Sequence, residues 1–247
     1  MLRLFVSQSV PVLFFFVIAL GFATLAVIRL AMRLIAHGKK PLDISSPLPA
    51  VSATAFVFIA ALLSSQIQAD VTAARRSLYH ETAAIQMIKL QAEVLPAADQ
   101  AAINKQLQEY VNLVVTDEWK KMQLEGESRE VKTTLSTLLR FVHTIKAQDI
   151  RDAERTAVTD LISARMERLR VAADTIPMIT WVVLFCLGAV TKFTVTLSHG
   201  NHHHWQHVVG TTVTVLTALI FLMLLVHDQP YARPGIVDPR MLVDALK

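Results

Sequence analysis

Nine residues, His199 to His207, carry five imidazoles, with His202, His203 and His204 consecutive and Trp205 beside them. Imidazoles at this density can ligate a transition metal or change charge between about pH 5 and 8. No carboxylate or cysteine lies nearby to orient them. The reading adopted is therefore no metal site, with His202, His203, His204 and His207 the only positions that would compete for one. No cofactor is implied. A second group is cationic and hydroxylic: Lys192 with Thr191, Thr194 and Thr196, and, some 20 residues on, Gly210, Thr214 and Thr217 on one helical face. In an apolar setting these would line a hydrophilic path that attracts anions. The plainer alternative is helix packing through small residues, with Lys192 reaching to an interface.

The third group is ionic. Glu81 falls on the apolar stripe Val71, Ala74, Leu78, Ile85 and Ile88. A carboxylate on such a seam needs a partner. Arg165 is the expected one, with Arg168 on the same face. No phosphate loop, dinucleotide fingerprint, HExxH, paired-cysteine zinc pattern or nucleophile elbow occurs, so no enzyme is expected. The single cysteine, Cys186, lies in an apolar run and reads as a structural thiol.

The elements that position these groups follow from how charge is distributed. Of the 20 acidic residues, 16 lie between Asp70 and Asp174; only Asp43 precedes them, and Asp228, Asp238 and Asp244 follow. Four long apolar segments are thus free of carboxylate, as a lipid interior requires. Mean hydropathy is +0.44 and the net charge is +4. The excess base sits beside apolar segments, which suits membrane orientation rather than nucleic-acid binding.

The spans are read as Val10 to Ile28, Ala50 to Ile67, Pro177 to about Thr196, and His207 to Val226. Each is near the length needed to cross a hydrocarbon core of ~30 Å. Arg3 before the first span permits a signal-peptide reading, but its apolar core is too long and Arg29, Arg33, Lys39 and Lys40 follow like a stop-transfer flank. Between the second and third spans, apolar residues recur at three and four. Ile103, Leu107, Tyr110, Val111 and Val114 form one further stripe, and Val131, Leu135, Leu138, Val142 and Ile145 another. Ala153, Ala157, Leu161, Ala164 and Ala172 form a weaker one.

The fold class is all-α. The expected layout is residues 1–67 as a first transmembrane pair, 68–176 as an extramembrane antiparallel bundle, 177–227 as a second pair, and 228–247 as a tail. The outer helices of the bundle are expected to continue the membrane spans. Glu81 and Arg165 would then stand at matching heights, roughly 18–21 Å from the bilayer at 1.5 Å per residue. The short basic first loop argues for a cytoplasmic placement of residues 29–40. Arg75, Arg76, Arg165, Arg168 and Arg170 near the membrane permit the opposite orientation.

Several local segments resemble a bacterial family, the bestrophin-like integral membrane domain. They are Glu81-Thr-Ala, Asp117-Glu118-Trp119 after a helix with Tyr110, and Ser163-Ala-Arg165-Met-Glu-Arg168-Leu169. Further on come Asp228-Gln-Pro230-Tyr231 and Ile236-Val-Asp-Pro239 with Leu242 and Ala245. Around that first proline the family usually has Arg and Phe, where this chain has Gln229 and Tyr231. The resemblance implies kinship with pentameric anion channels whose pore is built largely from the second membrane helix. It implies a homo-oligomer in the bacterial inner membrane, with the bilayer and small anions as its partners and no nucleic acid. Candidate pore-lining residues are Phe56, Ile59 and Leu63, with Lys192, Thr214 and Thr217. The rival reading is a non-conducting sensor or scaffold whose helical bundle binds a ligand or partner.

Overall fold

A computed structural model describes residues 10–36, 47–122, 126–174, 176–198, 203–228, 230–231 and 236–247; for residues 10, 35, 36 and 203–205 it describes the backbone alone. Helices account for nearly all of these, and no strand occurs among the described residues. They are α1 (Val10–Ala36), α2 (Pro47–Ala92), α3 (Ala97–Leu113) and α4 (Trp119–Met122), with a π-helical turn, Val114–Glu118, joining the last two. Then come α5 (Arg129–Val142), α6 (Gln148–Ala173), α7 (Met178–Ser198), α8 (His203–His227) and α9 (Arg240–Asp244). Two compact units result. One comprises residues 1–68 and 176–228; the other, residues 69–175 and 229–247.

In the first unit, α1, α2, α7 and α8 are long and apolar enough to cross a membrane, with mean hydropathy of 2.6, 1.9, 1.9 and 2.4 over their best windows. Only 22–33% of each window is buried within the chain. The rest, including Phe15, Val27, Phe58, Met178 and Ile179, is apolar surface that water would disfavour and lipid solvates. The protein is a membrane protein. Prolines at positions 47 and 49 begin α2, where a missing N–H costs nothing. Small residues bring the helices close: a Cβ at Gly21 of α1 would stand 3.1 Å from Thr214 Cγ2 of α8. The Phe56 ring lies against Gly188 of α7, and Ser52 and Thr194 share a hydrogen bond of 2.8 Å.

In the second unit, the α3 and α5 stripes are fully buried as the periodicity predicts: Ile103, Leu107, Tyr110, Val111 and Val114, then Val131, Leu135, Leu138, Val142 and Ile145. Ser128 caps α5, its Oγ accepting from the Val131 N–H at 3.5 Å. Residues 236–247 belong to this core through Val237, Leu242 and Ala245, where a separate tail was expected. The Lys89 ammonium donates to the Leu246 carbonyl at 2.7 Å.

One expectation about the long helices divides. α2 runs unbroken for 46 residues from the apolar span into the polar bundle. At the other boundary, α6 stops at Ala173 and α7 starts at Met178. Pro177 is the physical reason, since it disfavours helical geometry at the residue before it.

Candidate functional site

The polar centre of the second unit is built on α2, the π turn and α6. Along α2 the core face recurs through Ala74, Leu78, Ile85 and Ile88, and Glu81 falls on it with no exposed surface. On α6 the core stripe is Glu154, Ala157, Val158, Leu161, Arg165, Arg168 and Val171. The π turn widens the helix by one residue, and both Glu118 within it and Trp119 just after it are buried. Two carboxylates and two guanidiniums therefore meet out of water.

Their pairing differs from the sequence expectation. Arg168 holds Glu81 with two parallel bonds, Nε to Oε2 at 2.6 Å and Nη2 to Oε1 at 3.1 Å. Its Nη2 also donates to Glu118 Oε2 at 2.8 Å. Arg165, the partner expected for Glu81, instead grips Glu118: Nε donates to both oxygens at 3.0 and 3.2 Å, and Nη2 donates to Oε1. One helical turn separates the two arginines. Choosing between them required knowledge of Glu118, which lies on a turn whose period is not 3.6.

Neutral groups complete the cluster. The Tyr110 hydroxyl donates to Glu81 Oε1 at 2.5 Å, and the Ser128 N–H donates to Glu118 Oε1 at 3.3 Å. The Arg168 guanidinium lies 5.7 Å from the centre of the Trp119 ring, a cation–π distance. Trp119 meets Tyr231 edge to face at 5.5 Å, and the Tyr231 hydroxyl shares a bond of 3.0 Å with Ser77. Segments singled out by the family resemblance thus converge: Glu81, Tyr110, Glu118, Trp119, Arg165, Arg168 and Tyr231.

Electrostatics matches the geometry. Burial pushes the Glu118 carboxyl up, but the hydrogen bond from Arg165 and the charges of Arg168 and Arg165 outweigh it, leaving the pKa below the ordinary value. Burial, then the negative charge of Glu81, hold the Tyr110 phenol well above its usual value. The cluster sets two carboxylates against two guanidiniums, and its aim is inward. It suits a structural lock more than catalysis. Nearer the start of α6, Glu154 is different: both oxygens are buried without a hydrogen-bond partner, and burial raises its pKa to about 7.

The candidate pore positions fall mostly inside the first unit. Phe56, Leu63, Lys192, Thr214 and Thr217 are 2, 4, 7, 0 and 4% exposed; Ile59 is half-buried. Phe56 packs on Gly188 and Phe221. The threonine hydroxyls donate to carbonyls within their own helices, Thr214 to Gly210 at 2.8 Å and Thr217 to Thr214 at 3.0 Å. A pore wall between subunits must lie on the surface of each subunit, so these five residues are not on one in this conformation. Sequence reasoning chose the inward stripe of α2 because it is apolar; so is the outward face. Cys186 lies exposed on the surface of α7.

Of the histidine candidates, His202 lies outside the described residues, and the side chains of His203 and His204 do too. His207 is described and exposed. No group of three or more potential metal ligands occurs among the described residues.

Comparison with known proteins gives a consistent picture. The profile of the bestrophin-like domain matches residues 15–241. A crystal structure described as a membrane protein superposes with a TM-score of 0.73 at 10% identity, covering 94% of this chain and 98% of its own. Two mutant forms of a bacterial bestrophin homologue from Klebsiella pneumoniae give 0.71 and 0.72 at 11% identity. They cover 94% and 97% of this chain and 98% of theirs. At that identity the likeness speaks to fold. No curated protein matches by sequence.

Proposed function

The chain belongs to the bestrophin-like family, and from that premise we propose that it is a homo-oligomeric ion channel of the bacterial inner membrane that passes small anions. The observation that carries the anion preference is the charge inventory of the spans. Within the first unit, where α2 contributes only residues 47–68, their charged or basic groups are Arg29, Arg33, Lys192, His207 and His227, with no carboxylate among them. A bare cation near a water-filled path lowers the barrier to anions and raises it to cations.

The pore wall in this reading is the outward face of α2, where Thr54, Phe58, Leu62 and Gln66 follow one another at intervals of four. Phe58 and Leu62 are 62 and 54% exposed, large apolar groups one turn apart on the face opposite the packed stripe. Rings of such residues form a hydrophobic constriction that gates by dewetting. The test joins assembly to flux. Single cysteines at Phe58 or Leu62 should cross-link neighbouring subunits or block anion efflux from proteoliposomes when modified. Cysteines at the buried Phe56 or Leu63 should do neither. Equal effects at both faces, or none at either, would reject this wall.

A second reading rests on a different feature. The helical unit has a cleft of about 920 Å³ between α2 and α6, lined by Arg76, His80, Met87, Asp160, Ser163 and Glu167. A non-conducting sensor would use such a cleft for a ligand or partner; in a ring, a neighbouring subunit would fill it. A discrete oligomer with ion flux favours the channel, and a dimer without flux favours the sensor.

A further inference from the structure

Lys192 has no place on the pore wall assigned to the outward face of α2. It sits on α7, 14 residues past Met178 and 6 before Ser198, so its backbone lies ~9 Å along the helix from the nearer end. The residue is 7% exposed, and its ammonium has no hydrogen-bond, ion-pair or ring partner among the described residues. Beside it, within the first unit, is a cavity of about 80 Å³ walled by segments of α1, α7 and α8. Gly21 and Gly188 both belong to that wall. A Cβ at Gly21 would stand 3.8 Å from Lys192 Nζ, and one at Gly188 would stand 3.7 Å from the Phe221 ring. Absent side chains thus keep the space open, and the ammonium end of Lys192 stands at its wall.

The rest of the wall offers nothing that neutralises a cation. It is apolar apart from two threonines. The Thr24 hydroxyl donates to the Leu20 carbonyl at 2.7 Å and that of Thr217 to the Thr214 carbonyl at 3.0 Å. Both protons are engaged, and Lys192 is the one side-chain donor left on the wall. No carboxylate occurs among the described residues of α1, α7 and α8. Asp228 lies ten residues beyond Ala218, the α8 residue beside Gly21, roughly 15 Å along the chain at helical rise. An uncompensated charge is costly to bury, and a counter-ion in contact with it offsets that cost. One ammonium matches one negative charge; a divalent anion would leave an excess buried. A water molecule's share of liquid volume is about 30 Å³. The cavity therefore admits one halide or nitrate ion and excludes a sugar acid or a lipid headgroup with its glycerol.

We propose that Lys192 holds one small monovalent anion in this cavity, inside the transmembrane unit of each chain. The ammonium supplies a charge-assisted hydrogen bond and the apolar wall excludes water. The site is internal to a single chain and rests on neither conduction nor assembly, so a failure of either leaves it standing.

The full-length protein in detergent is unfolded thermally at fixed ionic strength while bromide or nitrate replaces gluconate, which is too large for the cavity. A saturable rise in melting temperature is expected, as for any ligand that binds the folded state alone. In Lys192→Met the half-saturating concentration should rise at least about tenfold, the loss of one charge-assisted hydrogen bond. Arg33 is a cation of α1 that is not on the cavity wall, so Arg33→Met should leave that concentration unchanged. A response equal in wild type and Lys192→Met, or lost equally in Arg33→Met, overturns the site. So does no saturable response to either anion, the behaviour of a neutral amine in a dry cavity. Should Lys192→Met not fold, bromide anomalous scattering from wild-type crystals decides. A peak within hydrogen-bond reach of Lys192 Nζ supports the site, and none refutes it.

Discussion

Replacing Arg168 with Met tests the buried cluster most severely. Met matches the length of the stem and removes three bonds to carboxylates: two to Glu81 and one to Glu118. Glu118 keeps Arg165, but Glu81 retains only the Tyr110 hydroxyl. Stranding a buried carboxylate in this way costs roughly 3–5 kcal/mol. For a unit of this size about 3–5 °C accompanies each kcal/mol, so the melting point should fall on the order of 10–20 °C. Glu81→Gln alone should also destabilise, because Arg168 then leans on Glu118 only. The double variant Glu81→Leu with Arg168→Met should cost much less than the sum of the single changes. A double-mutant cycle read by thermal unfolding in detergent gives the coupling, expected at up to about 3 kcal/mol for a contacting pair. The Glu81–Arg165 cycle should give a much smaller value, since those side chains meet only through Glu118. Strict additivity for Glu81 and Arg168, or stronger coupling of Glu81 to Arg165, would refute the arrangement.

Glu154 predicts a pH dependence with a definite sign. Its folded carboxyl titrates near 7, above the ordinary 4.5, so folding takes up a proton between those values. Stability is then full below about pH 4.5, falls as pH rises through 7, and loses on the order of 3 kcal/mol in all. Glu154→Gln should flatten that slope; an unchanged profile would show that Glu154 is solvated. Tyr110→Phe should cost about 1.5–3 kcal/mol, the range for a hydrogen bond to a charged group, without altering subunit number; a neutral change would mean that Glu81 needs no third donor. With the first loop cytoplasmic, a cysteine at Ser45 should resist an impermeant thiol reagent in intact cells while one at the exposed Ser136 reacts; the reverse pattern would invert the topology. Micromolar zinc should not bind stoichiometrically to the histidine loop, and binding lost on replacing His202, His203 and His204 with Ala would contradict that.

The bundle was legible where one face is apolar and the period is 3.6. The stripes of α3 and α5 bury the predicted residues because nothing polar interrupts them. On α6 the sequence signal is weaker and shifted: alanines at 153 and 172 looked like core, whereas the buried stripe carries Glu154, Arg165 and Arg168. Charges at core positions erase the pattern that marks a core. Glu118 was invisible for another reason, since the π turn changes the phase just before Trp119. In the spans the difficulty is reversed. Every face of α2 between residues 50 and 65 is apolar or small, so periodicity cannot separate the face that packs on α7 and α8 from the one left outward. The position of Arg29 beside Gly210 depends on how α1 and α8 align, which no local pattern encodes.

The central claim is that this chain conducts anions. The most direct measurement is the reversal potential of the purified, reconstituted protein in a planar bilayer under a potassium chloride gradient. Discrete current steps that reverse near the chloride equilibrium potential are predicted. Reversal near the potassium equilibrium potential, or no current from protein shown to be folded and inserted, would contradict the account.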